Sequence, residues 1–206
     1  MTPFEYVCGA IVLVIIVLFY VWQDREARAD FRRADFHMQA GISQTIREGI
    51  SRSHYLTWTG SSTGPSVLSS DGEVLARLFI DSFGGFIAAQ SMEGKWTADA
   101  AGHGGISQAI REGISPTILL SQTAGSKAAV HLDVWFGHHT ISLVNGPAFE
   151  WKRHGWLCDS SGDRLIRFMD NQVAVEPKAI SLSELPTLVL LGSFIMFRLK
   201  LNSVDG

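Results

Sequence analysis

The chain has 206 residues, 46% of them hydrophobic and 18% charged, enough apolar material for one folded domain with an appendage and too much for a disordered polymer. Lys and Arg total 17 against 20 for Asp and Glu, a net charge of -3. That balance lacks the basic excess with which a dedicated nucleic-acid binder neutralises phosphates, so DNA and RNA are not expected partners.

The first element is apolar. Val7 to Trp22 reads VCGAIVLVIIVLFYVW without a charge, and Phe4 to Gln23 makes 20 residues, or about 30 Å of helix at about 1.5 Å per residue, one bilayer crossing. Tyr6 at one end and Tyr20 and Trp22 at the other are the expected interfacial anchors, because amphipathic rings prefer the headgroup layer. A cleaved signal peptide is the competing reading, since Ala27-Arg28-Ala29 resembles a cleavage site. The apolar run is long, however, and no Lys or Arg precedes it, which favours a retained anchor over residues 1–23.

Residues 24–40 read as a juxtamembrane linker or helix. Arg25, Arg28, Arg32 and Arg33 all follow the span, and the positive-inside rule then predicts a single-pass protein of the cell's inner membrane with its C-terminal bulk in the cytoplasm. Asp24, Glu26, Asp30 and Asp35 offset those arginines and weaken any attraction of the segment to anionic lipid. Cys8 falls in the span and Cys158 far along the chain, so no disulfide framework is expected, in keeping with a reducing compartment.

Residues 41–206 read as one domain. Gly41 to Ser51 (GISQTIREGIS) and Gly105 to Ser115 (GISQAIREGIS) share ten of eleven residues at an offset of 64. Their flanks do not match, which excludes a solenoid. Ile42, Ile46 and Ile50 share a face under either a helical or a strand period, and short strands or irregular edges are the favoured reading. A weaker repeat aligns Ser69 to Phe79 (SSDGEVLARLF) with Asp159 to Met169 (DSSGDRLIRFM); both predict hairpins with polar turns at Gly72 and Gly162. Further strands are predicted at Gly85 to Gln90, Lys95 to Ala98, Thr117 to Gln122, Ala128 to Phe136, Thr140 to Val144, Ala148 to Lys152 and Gln172 to Ile180. Many short strands spaced about ten residues apart argue a mainly β barrel or sandwich.

Leu185 to Phe197, LPTLVLLGSFIMF, has thirteen residues and no charge. Ser183 as cap, Pro186 in the first turn and Arg198 and Lys200 at the far end predict a helix over 184–200. Thirteen residues fall short of the ~17 that a crossing requires, so a helix apolar all round should be buried in protein; a second membrane span is the alternative.

FEWKRHGWLCDSSGDRLIRF from Phe149 and VAVEPKAISLSELPTLVLLGSFIMFRL up to Leu199 resemble the last strands and core helix of the tubby-like C-terminal superfamily, which includes the phospholipid scramblases and the LURP-one-related proteins. The resemblance covers the whole of 41–206 and implies a closed antiparallel barrel of about twelve strands around the C-terminal helix, behind an N-terminal transmembrane helix in this chain. It also implies lipid or partner binding through basic residues on one barrel face, for which Arg77, Lys95, Lys152, Arg153, Arg164 and Arg167 are the candidates. The chain departs from scramblases where they carry an acidic calcium loop. Asp170 and Glu176 are the only acids between Met169 and Ser183, too few for the six to eight oxygens calcium takes.

Catalytic signals are sparse. His131, Asp133, His138, His139 and His154 form the one suggestive group for zinc or copper, but adjacent His138 and His139 point to opposite faces of a strand, and turn histidines are the better reading. No Lys-Ser or Lys-Thr follows Gly84-Gly85, so no phosphate loop is expected, and the Ser-rich Ser61 to Ser70 has no nucleophile elbow. Trp135, Trp151 and Trp156 read as core, Trp58 and Trp96 as exposed. Together these predict no enzyme, no metal and no cofactor. The expected role is that of a membrane-anchored scaffold or accessory subunit contacting other integral membrane proteins and membrane lipid. A phospholipid or phosphoinositide handler is the alternative.

Overall fold

Twelve short strands pair antiparallel, each with the next in sequence, and the last returns to the first. They are β1 (Tyr55–Gly60), β2 (Gly64–Ser70), β3 (Glu73–Ile80), β4 (Phe86–Ser91), β5 (Gly94–Ala98), β6 (Thr117–Gln122), β7 (Lys127–His131), β8 (Thr140–Leu143), β9 (Ala148–Lys152), β10 (Trp156–Cys158), β11 (Arg164–Met169) and β12 (Gln172–Val175). Leu56 stands opposite Val173 where β1 meets β12, and this pairing closes the barrel. Closure leaves no unpaired sheet edge. The structure is a computed structural model that describes residues 41–60, 64–80, 86–98, 117–133 and 138–204. The expected anchor at 1–23 with Tyr6, Tyr20 and Trp22, the segment 24–40, the second GISQ copy at 105–115 and Trp135 lie outside the described residues.

Alternation along the strands sorts inside from outside. In β9, Phe149 and Trp151 are buried while Ala148, Glu150 and Lys152 are exposed, as a period of two requires. Both predicted hairpins form. Asp71 and Gly72 turn β2 into β3 with φ of 50° and 84°, a pair of left-handed residues whose twist matches that of the strands. β12 stops at Val175 instead of continuing to Ile180, because Pro177 opens a short 3-10 turn, Pro177–Ala179. β7 likewise ends at His131, short of Phe136. β1 went unpredicted, although Leu56 and Trp58 alternate with Tyr and Thr in a run of β-forming residues.

The lumen holds the C-terminal helix. Helix α2, which we define after α1 (Ile46–Arg52) as Leu185–Val204, has Leu188, Val189, Leu190, Leu191, Phe194 and Ile195 all at 1% exposure or less. Four consecutive buried residues cover every side of a helix, so strands must enclose it. It contacts β3, β4, β8 and β11 from different sides of the ring. Phe86 and Phe194 meet edge to face at 5.3 Å, as do Trp58 and Phe197 at 5.6 Å. Trp58 Nε1 donates to Ser193 Oγ at 2.8 Å, and that hydroxyl donates to Val189 O at 2.6 Å, which satisfies both polar groups inside the tube. Among the described residues, no helix is long and apolar enough to cross a membrane; the apolar surface of α2 is buried against the barrel. The helix starts two residues after Ser183, with Glu184 O accepting the Leu188 N–H, and it runs beyond residue 200.

Two tryptophan assignments are reversed. Trp58 and Trp96 are both 2% exposed and belong to the core, because each falls on the inward parity of its strand. Neighbouring turns suggested exposure; the strand period decides it.

The second half of the first GISQ copy is a helix, Ile46–Arg52, where a strand or irregular edge was expected. Thr45 caps it: its Oγ1 accepts the Glu48 N–H at 3.1 Å, and Glu48 Oε2 accepts the Thr45 N–H at 2.9 Å. This reciprocal pair satisfies two helix-end donors and overrides the ambiguous period, and the bond holds the Glu48 carboxyl below its ordinary range. α1 covers the end of the barrel where α2 enters. Ile46 and Ile50 are buried, Gly49 packs against Leu75, and Arg47 donates to Ile180 O at 3.0 Å, Leu182 O at 2.5 Å and Ser183 O at 2.9 Å.

Truncation of the helix should be costly. Leu191→Ala is expected to remove about 2 to 5 kcal/mol through lost transfer energy and a cavity, and Leu191→Asp more, because it strands a carboxylate in an apolar tube. Gly192 lies against the Phe168 ring of β11, where any Cβ would overlap it, so Gly192→Leu should destabilise despite better helix propensity. Denaturant titration of the full chain in mild detergent checks all three.

Candidate functional site

With the lumen filled, the outer wall is where chemistry is displayed, and its most distinctive patch surrounds Trp156. In the register of the sheet Trp156 lies between Lys152 of β9 and Arg167 of β11. Arg164 and Arg167 are three apart and would face opposite sides of a regular strand. The register shift between Leu157 and Cys158 absorbs one residue of β11, so that Leu165 and Ile166 are both buried and both arginines point outward. Their guanidinium carbons lie 5.0 Å and 5.4 Å from the Trp156 ring centroid. Such stacking is worth about 0.5 to 1 kcal/mol each at an exposed site, and its larger effect is to hold two forked donors in place. Arg153, in the short 3-10 turn Arg153–Gly155, is exposed beside them.

The charge of this patch is partly balanced. Lys152 pairs with Glu150, which raises the lysine and lowers the carboxylate. Asp163, at the neighbouring turn, pairs with Lys178 at 3.1 Å. Arg153, Arg164 and Arg167 have no ion pair among the described residues. Cys158 lies behind them, buried, and burial pushes its thiol up, away from a reactive thiolate.

The six basic candidates do not form one face. Lys152, Arg153, Arg164 and Arg167 gather on the wall of β9, β10 and β11. Arg77 pairs in register with Gln90, and Gln90 with Lys95; that row lies on β3, β4 and β5, about half the ring away. Arg77 and Lys95 are also half-buried. Trp156, expected in the core, is instead half-exposed between its arginines. The signal for that was the pair of outward arginines in the second hairpin, visible only once the bulge is known.

The histidines separate as expected for neighbours on an extended segment: His138 is exposed and His139 buried. His139 Nδ1 accepts the Asp133 N–H at 3.1 Å, so its neutral form carries the proton on Nε2. His131 Nδ1 lies 3.0 Å from Thr117 Oγ1. Among the described residues, no group of three or more His, Cys, Asp or Glu side chains is arranged to hold a metal ion. Comparison with family models, with characterised proteins and with solved structures gives no match.

Burial holds the His139 imidazole below its ordinary value of 6.5, against the opposing pull of Asp133, with His131 and His138 adding to the depression. A depressed folded value means that the unfolded chain takes up the proton first. The stability due to neutral His139 is therefore full above about pH 6.5 and is lost as pH falls through the folded value. We expect the unfolding midpoint of the full chain to drop on going from about pH 7 to about pH 5, and His139→Gln to flatten part of that slope.

Proposed function

We propose that this chain is a non-enzymatic, membrane-anchored scaffold or accessory subunit of a larger membrane complex, and that its barrel works through its outer wall. The observation that supports this reading is the filled lumen. Among the described residues, six consecutive or near-consecutive side chains of α2, each at 1% exposure or less, occupy the interior in which a substrate or carried lipid would otherwise sit. What remains on offer is surface, and the Trp156 patch has the composition of an interface anchor: an aromatic ring and two arginines. Its complement is an acidic or aromatic segment of a partner protein.

The tubby-like kinship belongs to this proposal as well. A closed barrel of twelve antiparallel strands around a C-terminal helix is the architecture that the resemblance implies, although architecture alone carries no activity.

A second reading, a lipid handler at the inner leaflet, rests on the same arginines. Arg164 and Arg167 present planar donor forks suited to phosphate oxygens, and phospholipid headgroups carry such oxygens. The two readings separate in one experiment. The full chain, tagged and purified in mild detergent, should bring down a stoichiometric membrane protein, and the variant Trp156→Ala with Arg164→Glu and Arg167→Glu should lose it while still unfolding cooperatively, at a midpoint lowered only by the few degrees that the lost stacking is worth. Stoichiometric phospholipid without protein, lost in the same variant, would favour the lipid reading.

Topology has its own check. With the anchor at 1–23 and the barrel cytoplasmic, protease outside sealed right-side-out vesicles should leave the barrel intact, and digestion from that side would reverse the orientation.

A further inference from the structure

The register of the sheet carries the Trp156 patch further round the barrel than its charges do. Trp156 on β10 pairs with Arg167 on β11, Arg167 with Ala174 on β12, and Ala174 with Tyr55 on β1. One row of the outer wall therefore runs Trp156, Arg167, Ala174, Tyr55, with neighbours about 4.8 Å apart. Parity puts all four outside, because the residues next to them in their strands, Leu157, Phe168, Val173 and Leu56, are buried.

Side-chain size changes abruptly along that row. Tyr55 is 58% exposed, and between it and Arg167 the half-buried Ala174 offers only a methyl group. The result is a low floor with an aromatic ring on one side and a guanidinium on the other. Arg167 and Arg164 are held at 5.4 Å and 5.0 Å from the Trp156 ring centroid and have no ion pair among the described residues. Glu176, in extended conformation two residues past Ala174, adds a carboxylate on the other side of the floor from those charges. An anionic group is thus drawn to the arginines, whereas an uncharged ring can settle over Ala174. Backbone pairing is closed to any ligand here, because a closed barrel has no free edge. Recognition on this wall must come from side chains.

We infer that this row is a two-part docking site for a segment of a partner protein that carries an aromatic side chain and, two residues away in extended conformation, a carboxylate. The ring covers Ala174 against Tyr55, and the carboxylate takes the donor fork of Arg167 with Arg164 beside it. Two residues of extended chain span about 6.8 Å, between the strand spacings of about 4.8 Å and about 9.6 Å that separate Ala174 from Arg167 and from Trp156. This assignment rests on the reading of the Trp156 patch as a protein interface, and it adds which side chains the partner must present.

A capped peptide of glycine and serine, with one phenylalanine followed two residues later by one glutamate, is the probe. Its binding to the full chain in mild detergent is read by peptide-detected NMR titration at low ionic strength. The parent peptide should bind, and alanine in place of its phenylalanine should weaken it about 3- to 10-fold, the factor that contact between two aromatic rings is worth. Glutamine in place of its glutamate, or added salt, should weaken it as well. In the protein, Ala174→Leu fills the floor and Tyr55→Ala removes its wall. Each should make the phenylalanine and alanine peptides bind alike, while cooperative thermal unfolding is kept. Failure of the parent peptide to bind, equal binding of the two peptides to the wild-type chain, or a preference that survives in either variant overturns the assignment. Vesicles of anionic phospholipid that bind the wild-type chain and both variants equally, where the peptide does not bind, would give the wall to lipid and overturn it too. A pull-down partner lost with Trp156→Ala, Arg164→Glu and Arg167→Glu but kept by Ala174→Leu and Tyr55→Ala would reject the two-part site and leave the interface reading standing.

Discussion

An α-helix apolar on every side, with no polar face to give to water, is the constraint from which this structure follows. Thirteen uncharged residues from Leu185 to Phe197 are too few to cross a bilayer and too apolar to lie on a surface. A sheet with one apolar face cannot cover such a helix from all directions unless it closes. Twelve strands with inward Leu, Ile, Val, Phe and Trp side chains meet that demand, and closure also removes the two edges that an open sheet would expose. Two of the polar atoms that enter the tube, Ser193 Oγ and Trp58 Nε1, do so as a bonded pair, which spares either one an unsatisfied burial.

The opening through which the helix enters is finished by backbone chemistry. Ile180, Leu182 and Ser183 lie between the last strand and the helix, where their carbonyls need donors from outside the ladder and the helical repeat. Arg47 supplies them from α1, with one planar group serving three acceptors. A lysine could not replace it, since a point charge on a flexible stem does not match three fixed carbonyls. Lid and core helix are thus held by one side chain, which links the N-terminal part of the described domain to its C-terminal element.

Much of this was legible in the residues. The hairpins at Gly72 and Gly162, the strands Thr117–Gln122 and Ala148–Lys152 and the burial of the helix follow from period, turn residues and length, whereas the pattern left barrel and sandwich open and only the resemblance implied closure around the helix. The misreadings share a cause. For α1, Trp58, Trp96 and Trp156, local pattern was weighed before the one atom or register step that decides the matter: the Thr45 hydroxyl, the parity of a strand, the extra residue in β11. The outer patch depends on tertiary register, so six scattered basic residues read as one list although the barrel places four on one wall and two on another. Parity of neighbouring residues, a purely local property, did read correctly for His138 and His139.

The pairing of β1 with β12 has a consequence for how the protein is made. Tyr55 and Ala174 must meet across more than half the chain, and α2 follows β12 in sequence. On the ribosome the strands therefore emerge before the segment that fills them, and no closed ring with a core can exist until α2 has been translated. Contacts of such long sequence separation form slowly, and until they do, the inward apolar faces of eleven earlier strands are open to water and to one another. Because the core helix follows every strand of the ring, assembly of the barrel waits for it, with a sticky, half-wound sheet as the nascent state.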